Sequence, residues 1–88
     1  MPKSTDANQS TIVADVRKVG ATVQTLHEVG KGCPDILVGF RGKNFIIEIK
    51  TEYGRFNALQ AEWHVTWRGR VDVARTSEEA LKIIGAIE

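Results

Sequence analysis

The spacing of apolar residues divides the chain into helices and short strands. Apolar residues recur at helical intervals in three segments, and glycine ends two of these segments. Short apolar runs bounded by glycine, proline or polar residues predict four strands. The helices are expected at about 6–19, at about 57–68 and from about 76 onward, and the strands at about 21–29, 35–40, 45–50 and 71–73. This order predicts an α/β fold, a small mixed sheet of about four strands flanked by helices.

Length and composition narrow the class of protein. With 88 residues, of which 42% are hydrophobic and 26% are charged, the chain is typical of one globular domain, expected over 6–88 after a flexible segment 1–5. The net charge of +1 gives no overall attraction for nucleic acid. The single cysteine, Cys33, cannot form an internal disulfide, which favours a reducing, cytoplasmic location. No membrane span is expected, because no apolar run approaches about 20 residues, and no signal peptide is expected, because the N-terminus is polar.

The second helix carries the largest apolar side chains. Leu59, Trp63 and Trp67 recur every four residues and therefore share one helix face. At this spacing the tryptophans are expected in the core or in a dimer interface. A base-stacking platform is the less favoured alternative.

Three ionisable residues converge in the predicted hairpin. Folding of strand 45–50 against strand 35–40 brings Asp35 beside Glu48 and Lys50, and these last two share a strand face. Two adjacent carboxylates repel each other unless a cation neutralises them, and Mg²⁺ binds one or two carboxylates together with water and phosphate oxygens. The arrangement outlines a site that hydrolyses phosphodiesters. Alternatively, Asp35 caps a turn while Glu48 and Lys50 form a surface ion pair on an edge strand.

A family resemblance favours the first interpretation. The residues Pro34-Asp35 and Glu48-Ile49-Lys50 match the PD…(D/E)xK signature of a nuclease superfamily. With Gly32 before this motif and Gln60 ten residues after Lys50, the chain resembles the VRR-NUC branch. The resemblance covers nearly the whole chain from about residue 6. It implies a restriction-endonuclease-like core in the order αβββαβα.

The resemblance also implies roles for individual residues. Asp35 and Glu48 would bind Mg²⁺ or Mn²⁺ with the backbone carbonyl of Ile49, and Lys50 and Gln60 would complete the catalytic site. No organic cofactor is implied. Small members of the family are similar to phage and bacterial proteins that dimerise and cut duplex DNA or branched DNA such as Holliday junctions. Because one such domain holds one site, a symmetric homodimer is expected.

One departure from the family pattern concerns the first helix. The family places a glutamate where this sequence has Gln9, and an amide oxygen is a poorer ligand than a carboxylate. Three alternatives remain open. Gln9 contacts water on the metal, which is the favoured one; Asp6 replaces the glutamate; or metal affinity is weakened.

Candidate DNA contacts lie in the loops beside the motif. Lys31 precedes Asp35, and Tyr53 and Arg55 follow Lys50; arginine suits contacts to phosphate. Arg55 could equally be an exposed loop residue, and Lys31 is favoured as a DNA contact because it lies close before Asp35. The leading function is a metal-dependent DNA endonuclease. A catalytically weak or inactive module for DNA binding or assembly is the main alternative, and a small interaction protein is another.

Overall fold

The helices and strands follow the predicted order. The structure, a computed structural model, describes the backbone of residues 4–88 and the side chains of residues 7–88. The elements are α1 Ser4–Lys18, β1 Thr22–Thr25, β2 Ile36–Phe40, β3 Lys43–Ile49, α2 Ala58–Thr66, β4 Asp72–Ala74 and α3 Ser77–Ile84. The segment 1–5 falls largely outside the described residues, and residues 4 and 5 begin α1. Within the part described, no helix is both long enough and apolar enough to cross a membrane.

The four strands form one mixed sheet in the order β1-β2-β3-β4. β1, β2 and β3 are antiparallel neighbours, whereas β4 runs parallel to β3. Between β2 and β3, Arg41 and Gly42 both have positive φ angles, of 51° and 79°. This is a two-residue turn whose twist matches that of the strands. The turn is therefore shorter than the predicted segment 41–44, and Lys43 already belongs to β3. The predicted mixed α/β sheet is confirmed.

The hydrophobic core lies on one face of this sheet. Ile36 of β2 pairs with Ile47 of β3, and both are fully buried. Because side chains alternate along a strand, residues two positions away point to the same face. Helices α1 and α3 pack against this face, where they bury Ile12, Val16, Ala80 and Ile84. The opposite face of β3 is left to carry Glu48.

Helix α2 does not contribute to the core. It connects β3 to β4, since two parallel strands need a crossover connection. None of its residues is buried; Leu59 is 56% exposed, and Trp67, which caps its C-terminus, is 45% exposed. The interpretation of Trp63 and Trp67 as core residues is therefore wrong, and their stacking is with each other, with ring centroids 4.5 Å apart. The sequence pattern correctly indicated a helix, but the apolar stripe faces largely outward.

This division predicts unequal costs for removing apolar side chains. Ile47→Ala leaves a cavity in the fully buried centre of the sheet and should lower the free energy of unfolding by about 2–5 kcal/mol. Val65→Ala on α2, where the side chain is 84% exposed, should change it by less than about 0.5 kcal/mol. Urea unfolding followed by far-ultraviolet circular dichroism measures both. Similar losses in the two variants would contradict the one-sided core.

Candidate active site

Two carboxylates meet where β2 begins and β3 ends. Asp35 directly precedes β2, and the pairing of Ile36 with Ile47 sets it beside Glu48 on the sheet face away from the core. Asp35 Oδ2 accepts a hydrogen bond from the backbone N–H of Ile49 at 2.7 Å. Glu48 is 1% exposed. Glu48 is therefore buried beside a second acid that the main chain holds in place.

Lys50 and Gln60 complete a connected polar cluster around Glu48. The Lys50 ammonium donates to Gln60 Oε1 at 2.7 Å and lies 3.4 Å from Glu48 Oε2. Gln60 Nε2 donates to the same Glu48 oxygen at 3.3 Å. The alternative of a surface ion pair on an edge strand is wrong, because β3 lies between β2 and β4 and both charged residues are buried.

Gln60 is held in place by the start of its own helix. The Asn57 side chain accepts from the Gln60 N–H at 2.9 Å, and Gln60 Oε1 accepts from the Asn57 N–H at 3.0 Å. This reciprocal arrangement is a capping box, which fixes the first turn of a helix. The same Oε1 receives the Lys50 ammonium, so helix capping also orients the amide toward the site. This capping could have been predicted from the Asn-x-x-Gln spacing of residues 57 to 60 at the start of the second helix.

Burial and the proximity of two carboxylates determine the electrostatics of the cluster. Burial, and next the charge of Asp35, raise the pKa of Glu48 to about 7, although Lys50 acts in the opposite direction. Burial and then the charges of Glu48 and Asp35 also raise the pKa of the Cys33 thiol. The surroundings of the carboxylates are therefore favourable for a cation.

The donor set fits a hard divalent cation. Glu48 Oε1 is buried, and no group in the described part of the chain donates a hydrogen bond to it. Such an acceptor is costly to bury unless something binds it. Two carboxylates suffice for Mg²⁺, which keeps several waters, and no third His, Cys, Asp or Glu completes a ligand cluster among residues 7–88. Ile49, whose carbonyl is implied as a further ligand, lies against Asp35 through its N–H, and its role as a ligand stays a prediction.

The first helix approaches the site through a residue that the sequence did not single out. Asn8 donates to the backbone carbonyls of Lys50, at 2.9 Å, and of Arg75, at 3.2 Å. Gln9 instead lines a cavity of about 620 Å³, together with His27, between α1 and the end of β1. The Asp6 side chain lies outside those described. Among the α1 side chains that the structure describes, Asn8 is therefore the one that contacts the main chain next to the site. The contact of Gln9 with metal-bound water stays a prediction.

The three candidate DNA contacts are exposed on two loops that border the site. Tyr53 is 85% exposed, and Lys31 and Arg55 are also exposed. The loop of Lys31 lies close against the start of α2, since a Cβ atom added to Gly32 would clash with the carbonyl oxygen of Leu59. The loop that carries Tyr53 and Arg55 leads from Lys50 into α2. Both loops therefore adjoin the residues around Gln60.

Comparison with solved structures identifies the fold. A chain described as a "VRR_NUC domain" superposes with a TM-score of 0.76, covering 99% of this chain and 100% of that chain, at 24% sequence identity. No protein-family model and no curated protein sequence matches this chain. The fold expected from the resemblance is therefore confirmed over essentially the whole chain.

The close approach at Gly32 predicts a specific effect on α2. Gly32→Ala places a methyl group against backbone atoms of Leu59 and Gln60, so α2 must move away and the Gln60 contacts must weaken. Gly30→Ala is the matched control, because Gly30 also has a positive φ, 71°, but an added Cβ meets nothing within 4 Å. Both variants should lose about 1–2 kcal/mol from backbone strain. Only Gly32→Ala should also change the fluorescence of Trp63 and Trp67; identical spectra for both variants would contradict the packing.

The raised pKa of Glu48 predicts that stability falls as pH rises. The unfolded chain releases this proton near pH 4.3, whereas the folded protein keeps it until about pH 7. Between these values the folded state binds more protons, so the free energy of unfolding should decrease by up to about 1.4 kcal/mol per pH unit. Denaturant unfolding in chelator at about pH 5, 6 and 7 tests this. Glu48→Gln should remove this contribution to the slope, and an unchanged slope would contradict the raised pKa.

Proposed function

We propose that this chain is a VRR-NUC-type endonuclease that hydrolyses phosphodiester bonds of DNA with Mg²⁺ or Mn²⁺. The observation that carries the proposal is the buried Glu48 Oε1, which lacks a donor among the described residues and lies beside a second carboxylate, Asp35. The fold likeness supports a nuclease, since the matched chain is described as a VRR_NUC domain. The Glu-x-Lys spacing matches the family pattern, and the Lys50–Gln60 contact joins the two residues that the resemblance assigns to the catalytic site.

The chain's own residues divide the work of such a reaction. A divalent ion held by Asp35 and Glu48 would polarise the phosphate and lower the pKa of an attacking water. The Lys50 ammonium has three donors and contacts two acceptors, Gln60 Oε1 and Glu48 Oε2. It can therefore donate to the attacking water or to a phosphate oxygen as negative charge develops there. Gln60 holds this ammonium in place, and its own capping contacts limit its motion.

The proposed substrate is DNA, in duplex form or in branched forms such as Holliday junctions. Lys31, Arg55 and Tyr53 are exposed on the two loops next to the site, where they would contact the sugar–phosphate backbone. The cytoplasmic location expected from the single cysteine stays a prediction.

Conservative loss of either carboxylate should abolish cleavage. Asp35→Asn and Glu48→Gln keep side-chain size but remove the charge that would hold the metal, so cleavage should fall by about 100-fold or more. The control is Glu62→Gln on the exposed surface of α2, which should cut normally. Four-way junction, flap and linear duplex are incubated with Mg²⁺, Mn²⁺ or EDTA, and products are resolved by gel electrophoresis.

Each outcome of this assay decides between the functions considered. Wild-type cleavage that persists in EDTA, or that survives in Glu48→Gln, would contradict the metal assignment. Binding of DNA without cleavage in either metal would favour the inactive binding or assembly module. No binding and no cleavage would favour a small interaction protein.

A symmetric homodimer is proposed as the active form. One chain provides one site, whereas two strands of a duplex or junction need two, and twofold symmetry supplies them. The proposed contact is the exposed apolar face of Leu59 on α2 and Trp67 at its C-terminal cap, with Ile87 near the C-terminus as the alternative. Light scattering at micromolar concentration should give twice the chain mass of 9.7 kDa. A single-chain mass would contradict the dimer.

A further inference from the structure

The turn that follows Lys50 is held by side chains from two other elements. Within residues 50–54, four backbone carbonyls accept hydrogen bonds from Asn8 or Arg75. Asn8 donates to the carbonyl of Lys50. Arg75 Nη1 donates to the carbonyls of Thr51 at 2.6 Å, Gly54 at 2.9 Å and Glu52 at 3.4 Å. We call this segment, 51–54, the braced turn.

The backbone N–H and the backbone carbonyl of Arg75 are both hydrogen-bonded to side chains. Arg75 directly follows β4, and its N–H donates to Glu79 Oε1 at 2.7 Å. Its carbonyl accepts from the same Asn8 amide that holds Lys50. The residue before it, Ala74, accepts the N–H of Lys50 at 3.1 Å. The guanidinium therefore projects from a rigid strand end toward the braced turn.

The braced turn is the first part of the segment that connects Lys50 to α2. Three residues after it, Asn57 caps the helix, and Gln60 follows within the first turn. Because α2 buries none of its residues, hydrophobic packing does little to fix its position relative to β3. Its placement depends on the polar contacts of Gln60, the close approach of Gly32, and the segment leading into it.

We infer that Arg75 is a positioning residue of the site: by holding the braced turn, its guanidinium sets where α2 presents Gln60 to Lys50. This inference rests on the proposed nuclease function for its effect on cleavage, but the placement of α2 can be measured without it. Arg75 contacts neither carboxylate among its described hydrogen bonds, so metal binding by Asp35 and Glu48 should not depend on it. Its effect should be confined to the geometry of the Gln60 contact.

The test compares Arg75→Ala and Arg75→Lys with Arg70→Ala. Arg70 is the matched control, an arginine two residues before β4 that donates hydrogen bonds to Asp72 and to the carbonyl of Ile83. In Arg75→Ala, the backbone amides of residues 51–61 should exchange hydrogen faster than in the wild type. The efficiency with which acrylamide quenches the fluorescence of Trp63 and Trp67 should also differ from the wild type. Arg75→Lys, which keeps a donor cation but not the planar fork, should restore part of the protection. Arg70→Ala should leave that segment unchanged.

Measurements of cleavage rate and Mn²⁺ affinity distinguish a positioning role of Arg75 from a general loss of stability. Arg75→Ala should reduce kcat by about tenfold or more while the Mn²⁺ affinity stays unchanged, because a small displacement of a reacting group is costly. If Arg75 acts through Gln60, the double variant with Gln60→Ala should cleave no more slowly than Gln60→Ala alone.

Several results would overturn the inference. Additive losses in the double variant, equal loss of Mn²⁺ affinity, or unchanged hydrogen exchange in 51–61 would each exclude a positioning role. If the wild-type protein cleaves no DNA at all, the proposed function fails, while hydrogen exchange still decides whether Arg75 positions α2.

Discussion

The buried carboxylate of Glu48 is the constraint on which the rest of the site depends. A charged group taken out of water is strongly destabilising unless other charges or donors compensate for it. The Lys50 ammonium and the Gln60 amide compensate for the charge at Glu48 Oε2. No group among the described residues donates to Glu48 Oε1. Lys50 must therefore lie on the same strand face, and Gln60 must be delivered from another element. The hairpin register, the capping of α2 and the glycine at position 32 all serve that arrangement.

One face of the sheet carries the hydrophobic core, and the other face carries the polar cluster. Alternation along β3 sends Ile47 and Ile49 toward α1 and α3, and sends Glu48 the other way. Core packing holds the strand in place, so the Glu48 side chain is held rigidly without belonging to the core. Helix α2 shows the converse, since it buries none of its residues but brings the Gln60 amide to the Lys50 ammonium. A small protein can in this way keep a polar cluster without interrupting its core.

The features that depend on local residue pattern and strand register could be predicted from the sequence. The hairpin was enough to place Asp35 next to Glu48, because register follows from a short turn, and alternation in 45–50 placed Lys50 on the same strand face as Glu48. The prediction failed for Trp63 and Trp67, since a helical apolar stripe shows only that one face is apolar, and tertiary packing decides whether that face is covered. Arg75 and Asn8 were missed for another reason. Their partners are backbone carbonyls 21 to 67 residues away, and contacts to main chain leave no side-chain pattern in a sequence.

The parallel pairing of β3 with β4 has a consequence for how the protein is made. During synthesis, β2 and β3 can form their local hairpin early, and this hairpin already carries both acids. The ribosome must then add the whole crossover before β4 can pair with β3 and before Arg75 can reach the turn behind Lys50. A nascent or truncated chain ending before residue 72 thus holds the acidic pair on an unsupported hairpin edge. In an enzyme of the proposed kind, the site would therefore be complete only after β4 and Arg75 have been added to the chain.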